Sequence, residues 1–147
     1  MHPTFPQETF LPAKVLFKKG CVSDLSREVA EFGSCGIIVH GVSLEKSGLK
    51  EKIAEDFKKA GLTADFFCRP QGEPTLAEIS DVITQGHAAK AAWVVGIGGG
   101  SVLDLAKAAA GLFHAKEQPA YYQEGGVLKE KGIPFMAIPT TAGSGSA

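Results

Sequence analysis

The sequence predicts an α/β fold: an open, doubly wound parallel sheet of the Rossmann-like type. Short apolar runs alternate along the chain with segments whose apolar residues recur at helical spacing. Two of these runs, 91–95 and 133–138, lead into loops of small residues, as expected where strands end at a ligand cleft. The 147 residues suffice for one compact core. We therefore interpret residues 1–147 as one domain that begins with an extended leader over 1–12.

The first half of the chain alternates strands and helices. The apolar run 36–40 is continuous, which is typical of a parallel strand buried on both faces. Gly61 follows a helical pattern and is a helix stop signal. The predicted elements are a strand near 14–17, a helix over 23–31, the strand over 36–40, a helix over 47–60 and a strand over 64–68.

The second half repeats the alternation. Thr75 precedes a helical pattern, and Glu78 completes a capping box with it. Residues 114–132 form a connection longer than most in a compact domain, so we expect either a lid or a partly disordered loop. The remaining predictions are a turn over 70–74, a helix that follows Thr75, a strand over 91–95, a helix over 102–113 and a strand over 133–138.

Composition and charge exclude several classes of partner. The formal net charge is −1, which provides neither a basic footprint for nucleic acid nor a polybasic face for membranes. No apolar run approaches the length of a bilayer span, and no signal pattern opens the chain. Cys21, Cys35 and Cys68 are widely spaced and odd in number, without metal or redox spacing. We expect buried thiols in a reducing cytoplasm.

A glycine turn carries the strongest functional signal. Gly98, Gly99, Gly100 and Ser101 follow an apolar strand and open a helix. Such a turn lets backbone N–H groups approach an anion and directs a helix N-terminus at it, so a pyrophosphate fits. The alternative is a tight turn in which Ser101 and Asp104 form a capping box.

A second loop provides further hydrogen-bond donors. It follows the last predicted strand and holds four hydroxyl side chains and two glycines. At the carboxyl edge of a parallel sheet these groups would face the same ligand. The alternative is a flexible polar tail. The hydroxyl residues are Thr140, Thr141, Ser144 and Ser146.

The two loops together resemble one family. GGGSVLDLAK at 98–107, followed by IPTTAGSGS at 138–146, is similar to the GGGSxxDxAK and PTTAGTGSE patterns of the iron-containing (group III) alcohol dehydrogenases. The resemblance covers residues 13–147. It implies the dinucleotide-binding domain of an NAD(P)-dependent oxidoreductase that transfers hydride between alcohols and aldehydes. Because a domain of such an enzyme exposes apolar surface that the second domain would cover, we also expect the chain to be a homo-oligomer.

The resemblance implies roles for individual residues. The triple-glycine turn and Ser101 would hold the diphosphate of the cofactor, and Asp104 would lie near the nicotinamide ribose. Thr140 and Thr141 would line the adenosine side of the cleft, and Ser144 belongs to the same cofactor-binding loop. Lys107 matches the lysine of the family pattern, and a solvated helix residue is an equal alternative.

Three positions depart from the family pattern. Gly41 aligns with an aspartate that accepts hydrogen bonds from the adenosine ribose in many NAD-using relatives, so its neutrality favours NADP over NAD. Glu73 replaces an asparagine, which weakens that preference. Ala147 stands where relatives have glutamate.

The family's iron or zinc would require residues that this chain lacks. The resemblance implies one aspartate and three histidines on a helical domain that follows the second loop. His2, His40, His87 and His114 are not spaced to share a helix face. We interpret them as surface or strand-end residues, and we expect the chain alone to be inactive.

Two other interpretations remain open. One is a glycerol dehydrogenase or dehydroquinate synthase branch of the same fold, against which Ser101, Lys107 and the second loop argue. The other is a stand-alone nucleotide-binding module without catalysis.

Overall fold

The computed structural model describes residues 13–15, 24–70 and 72–140. Five strands form one parallel sheet in the order β1-β5-β4-β2-β3. The predicted parallel α/β architecture is therefore confirmed. The strands are β1 (Ala13–Val15), β2 (Cys35–His40), β3 (Thr63–Cys68), β4 (Val94–Gly98) and β5 (Phe135–Pro139).

Helices cover both faces of the sheet, which makes it doubly wound. Side chains of β4 alternate between the two cores: Val94 packs with the core beneath α4 and α5, and Val95 packs with the core beneath α1 and α3. The helices are α1 (Leu25–Ala30), α2 (Val42–Ser47), α3 (Leu49–Lys59), α4 (Leu76–Ala88), α5 (Gly100–Gly111) and α6 (Pro119–Gln123).

The strand order reverses between β2 and β4. From β2 the chain moves outward to β3, and it then returns to place β4 on the other side of β2. Connections on the two sides of such a point diverge, which leaves a crevice beyond the carboxyl ends of the two strands. Gly41 follows β2 and Gly99 follows β4, so both flank this crevice.

Two short helices were not predicted. Gly41 caps the start of α2 in an extended conformation, and Gly48, with φ of 77°, ends it. Leu44 is the one side chain that α2 buries, so its sequence shows no apolar residues recurring at helical spacing.

The long connection over 114–132, for which we expected either a lid or a partly disordered loop, contains a short helix. This helix is α6, where Pro119 and Tyr122 are buried. The Tyr122 hydroxyl accepts a hydrogen bond of 3.2 Å from the Glu117 N–H. Tyr122 packs in the core beneath α4 and α5, which anchors the segment there.

Candidate functional site

The glycine turn presents an uncapped helix N-terminus to the crevice. Gly99 is the N-cap, and the first helical hydrogen bond runs from Leu103 N–H to the Gly99 carbonyl over 3.0 Å. The amides of Gly100, Ser101 and Val102 precede that bond and point out of the helix end. No described side chain caps this end, and its first turn holds no acidic residue. The partial positive charge of the helix therefore faces the crevice.

Three glycines in or near the turn differ in why a glycine stands at each position. Gly98 has φ of 155°, and a Cβ there would lie 2.9 Å from Val102 Cγ2. A Cβ at Gly96 would lie 2.9 Å from Ala106 Cβ, so this glycine lets α5 pack closely on the sheet. Gly100 is different, because a Cβ there would meet nothing within 4 Å. Its exposed backbone is open to close approach by a ligand.

The second loop begins beside the glycine turn, as predicted. Gly98 of β4 lies in register with Pro139 of β5, and Thr140 N–H donates to the Gly98 carbonyl over 2.9 Å. Thr140 is exposed at this edge. Thr141 and Ser144, the other two predicted cofactor-binding residues of the loop, lie outside the described residues.

Gly41 lies across the crevice from the glycine turn. A Cβ on Gly41 would lie 3.6 Å from Val102 Cγ2, in the first turn of α5. Position 41 thus provides the other wall of the crevice, and it carries no charge.

Sequence reasoning missed Arg69, whose guanidinium lies behind the glycine turn. Arg69 is 2% exposed. Its Nη1 donates to Ser101 Oγ and to the Gly72 carbonyl, each over 3.0 Å, while Nε and Nη2 donate to the two Glu78 carboxylate oxygens over 3.0 and 3.3 Å. The sequence did contain a signal for this residue. Arg69 directly follows a predicted strand, at the sheet edge that carries both loops.

The capping box of α4 is confirmed and doubles as the anchor of Arg69. Thr75 Oγ1 accepts from Glu78 N–H over 3.1 Å, and Glu78 Oε1 accepts from Thr75 N–H over 3.0 Å. Burial opposes ionisation of Glu78, but the hydrogen bonds from Arg69 and Thr75 and the Arg69 charge hold its pKa below the usual range.

The alternative capping box at the glycine turn is wrong. Ser101 lies inside the first turn of α5 rather than at its N-cap, and its hydroxyl oxygen accepts from Arg69. Asp104 and Lys107 are exposed farther along α5. The structure therefore leaves Ser101 with a hydroxyl proton to donate.

The prediction of buried thiols is wrong for the two described cysteines, whereas the described histidines lie at the surface or at a strand end as expected; Cys21 and His2 lie outside the described residues. Cys68 ends the edge strand β3 and is exposed, and Cys35 is half-buried, so neither is a fully buried thiol. His40 ends β2, as expected, but its side chain is fully buried. One described group of metal-binding side chains lies close together, namely His40, Glu45 and Cys68. With one histidine and no aspartate, it does not fit the ligand set implied for the family's iron.

Within the described ranges, no helix is both long and apolar enough to cross a membrane.

Comparison with known proteins gives a consistent picture. The chain is 28% identical to the NAD-dependent methanol dehydrogenase of Bacillus methanolicus over 138 residues, which cover 93% of this chain and 36% of that protein. It is 34% identical to long-chain-alcohol dehydrogenase 1 of Geobacillus thermodenitrificans over 131 residues, covering 86% of this chain and 33% of that protein. The chain therefore spans about a third of the length of these relatives.

A solved structure matches the fold. Sulfoacetaldehyde reductase from Bifidobacterium kashiwanohense, in complex with NAD+, superposes with a TM-score of 0.78 and 25% identity, covering 95% of this chain and 37% of that one. The family model for iron-containing alcohol dehydrogenases matches residues 12–147. The crevice between β2 and β4, the glycine turn and this match agree, and the chain belongs to the iron-containing alcohol dehydrogenase family.

Proposed function

We propose that this chain binds the dinucleotide of an NAD(P)-dependent alcohol or aldehyde oxidoreductase, with the diphosphate on the N-terminus of α5. One observation carries the proposal: α5 begins, uncapped and free of acidic residues in its first turn, at the point where the strand order reverses. Three backbone amides at this end would donate to phosphate oxygens, and the helix dipole would favour their negative charge.

Residues around the turn support the same role. The Ser101 hydroxyl oxygen accepts a hydrogen bond from Arg69, so the hydroxyl proton can be donated to a phosphate oxygen. Arg69 thereby acts as a positioning residue that fixes Ser101 and the start of α5. Thr140 would extend the site toward the second loop.

Position 41 supports a proposal about which nucleotide is accepted. A glycine leaves room for a 2′-phosphate and removes the carboxylate that would repel it, so we propose that NADP is accepted at least as well as NAD. Glu73 is exposed near the start of α4, and it is the residue that favours NAD over NADP.

The chemistry of the whole enzyme is part of the proposal. A metal held by residues other than those that the structure describes would polarise the substrate oxygen. The described residues supply nucleotide binding, so we expect the chain alone not to oxidise alcohols. We further propose a cytoplasmic protein that associates with copies of itself, and the free thiols of Cys35 and Cys68 are consistent with a reducing compartment.

Calorimetric titration of NAD+ into the chain and into Gly100→Ala tests the proposal. A methyl group at position 100 meets no protein atom but would project into the space where the diphosphate lies. We expect wild type to bind one NAD+ per chain and Gly100→Ala to lose at least about tenfold in affinity while remaining folded. Gly61→Asn, at the opposite edge of the sheet, is the matched control. Equal affinities for all three chains would contradict the proposal.

A further inference from the structure

A group of three side chains with metal-binding chemistry lies on the other face of the sheet from α5. His40 and Cys68 are the last residues of β2 and β3, and they lie in register on adjacent parallel strands. Glu45 belongs to α2, which follows β2 after a single residue. A His40 ring nitrogen, a Glu45 carboxylate oxygen and Cys68 Sγ all lie within 4.8 Å of one another.

The His40 imidazole has one nitrogen in use and one unsatisfied. Nδ1 lies 2.9 Å from the Gly41 carbonyl oxygen, and a carbonyl only accepts, so Nδ1 carries the proton. In the neutral imidazole Nε2 then has a lone pair, and Nε2 is buried without a hydrogen-bond partner among the described residues. A buried acceptor that has lost its hydrogen bonds to water destabilises the fold unless a donor or a cation meets it. A backbone carbonyl on the other ring nitrogen is the arrangement that orients histidine ligands of metals.

The other two side chains give access from solvent. Cys68 and Glu45 are exposed, so a cation can reach the buried nitrogen past them. The pKa of the Cys68 thiol is raised, first by burial and then by the neighbouring Glu45 carboxylate. The positive charge of Lys50 offsets part of this rise. Lys50 Nζ pairs with Glu45 Oε1 over 3.1 Å and is the cation that a metal ion would displace.

We propose that His40, Glu45 and Cys68 bind a divalent cation of the zinc class. Imidazole, thiol and carboxylate donors suit Zn²⁺, whereas Mg²⁺ and Ca²⁺ take oxygen ligands. Tetrahedral bonds of about 2.0–2.3 Å place ligand atoms roughly 3.3–3.8 Å apart, so the two exposed side chains move inward by about an ångström. As the metal–sulfur bond forms, the Cys68 proton passes to solvent, and the fourth position is left to water.

This site differs from the one that gives the family its name. It holds a single histidine, it lies within the nucleotide-binding domain, and cation binding there does not require a bound nucleotide.

Titration with Co²⁺, followed by Zn²⁺, tests the site in the chelator-treated chain. We expect one Co²⁺ per chain, with a thiolate-to-cobalt charge-transfer absorption that disappears when Zn²⁺ displaces the cobalt. Cys68→Ser and Glu45→Gln change exposed residues, and each should weaken Zn²⁺ binding by more than about tenfold. Cys35→Ser, a half-buried cysteine at the start of the same strand as His40, is the matched control and should bind as wild type does.

Three results would overturn the proposal. The first is Co²⁺ binding without a thiolate-to-cobalt band. The second is a Cys68→Ser chain that binds Zn²⁺ as tightly as the Cys35→Ser chain. The third is a wild-type chain that binds no Zn²⁺ at micromolar concentration. Circular dichroism of each variant establishes that it is folded, so weak binding cannot arise from unfolding.

Discussion

Arg69 joins three elements at the edge of the sheet that carries the proposed nucleotide site. It follows β3 and contacts Glu78 of α4 and Ser101 of α5. A buried guanidinium is stable there because the Glu78 carboxylate pairs with it and because each of its nitrogens donates a hydrogen bond. The Arg69–Glu78 ion pair and the Arg69–Ser101 hydrogen bond thus link α4 to α5 beside the apolar core that the two helices share.

Glu78→Gln should destabilise the fold by about 1–3 kcal/mol at pH 7, because it leaves the Arg69 charge buried without its counter-ion. Since the folded-state pKa of Glu78 is lowered, its contribution is present at neutral pH and is lost as the pH falls below about 5. Urea unfolding of wild type and variant across this range measures the difference, which should shrink toward acid.

Glu55→Gln is the control for this prediction. Glu55 pairs with Lys59 over 3.9 Å, and both side chains are at least 70% exposed, so removing that charge should cost less than about 0.5 kcal/mol. An effect of Glu78→Gln no larger than this, or one that stays constant with pH, would count against a stabilising role for the ion pair.

Gly41→Asp should shift nucleotide preference from NADP toward NAD. The new carboxylate would lie at the crevice and repel a 2′-phosphate, which we expect to cost about 1–3 kcal/mol in NADP binding. Calorimetric titration of both nucleotides into wild type and variant gives the ratio. If that ratio is the same in the two proteins, position 41 does not face the 2′ position of the ribose.

At the scale of elements, Gly36 fixes how the connection into β4 packs on β2. A Cβ at Gly36 would overlap the ring of Trp93, which is 1% exposed. The Trp93 Nε1–H donates to the Gly33 carbonyl over 3.0 Å, so a shift of the indole away from Gly36 would break this hydrogen bond. The ring therefore needs a glycine on the neighbouring strand.

Gly36→Ala should destabilise the protein by at least about 2 kcal/mol, because it overpacks a core that cannot rearrange without breaking the indole hydrogen bond. Thermal unfolding followed by tryptophan fluorescence measures the effect at the only tryptophan. Gly100→Ala adds the same methyl group where nothing lies within 4 Å, and its melting temperature should match or exceed that of wild type. Similar melting temperatures for the two variants would refute this account of Gly36.

Features that rest on local sequence patterns were predictable, whereas very short helices and contacts between distant segments were not. The strand over 36–40 and the capping box at Thr75 rest on local patterns of several residues, and both are present. Helix α2 buries a single side chain, Leu44, and α6 has five residues, so neither shows a run of apolar residues at helical spacing. Arg69 was missed because its partners come from distant segments that only the folded sheet brings together.

The same reasoning explains the partial success at the site. Both loops were placed at one sheet edge because parallel strands share their direction, and the Thr140 contact with Gly98 confirms it. The proximity of His40 and Cys68 depends on strand register, which spacing along the chain does not reveal.

At the scale of the whole molecule, the chain covers 33% to 37% of the relatives compared above. We expect copies of the chain to associate, because a domain packed against the rest of such an enzyme presents an interface of roughly 600–1,500 Å². Light scattering at increasing concentration should give a mass above the 15.4 kDa of one chain. A mass that stays at the monomer value throughout would contradict this expectation.

The central claim is that the N-terminus of α5 receives the diphosphate of a dinucleotide. Amide chemical shifts of the ¹⁵N-labelled chain during titration with NAD+ test it most directly, because each backbone N–H reports on its own surroundings. The account predicts the largest shifts at Gly100, Ser101 and Val102, with a further change at Gly41 across the crevice. Largest shifts at the opposite edge of the sheet, around Gly61 and Lys90, would contradict it.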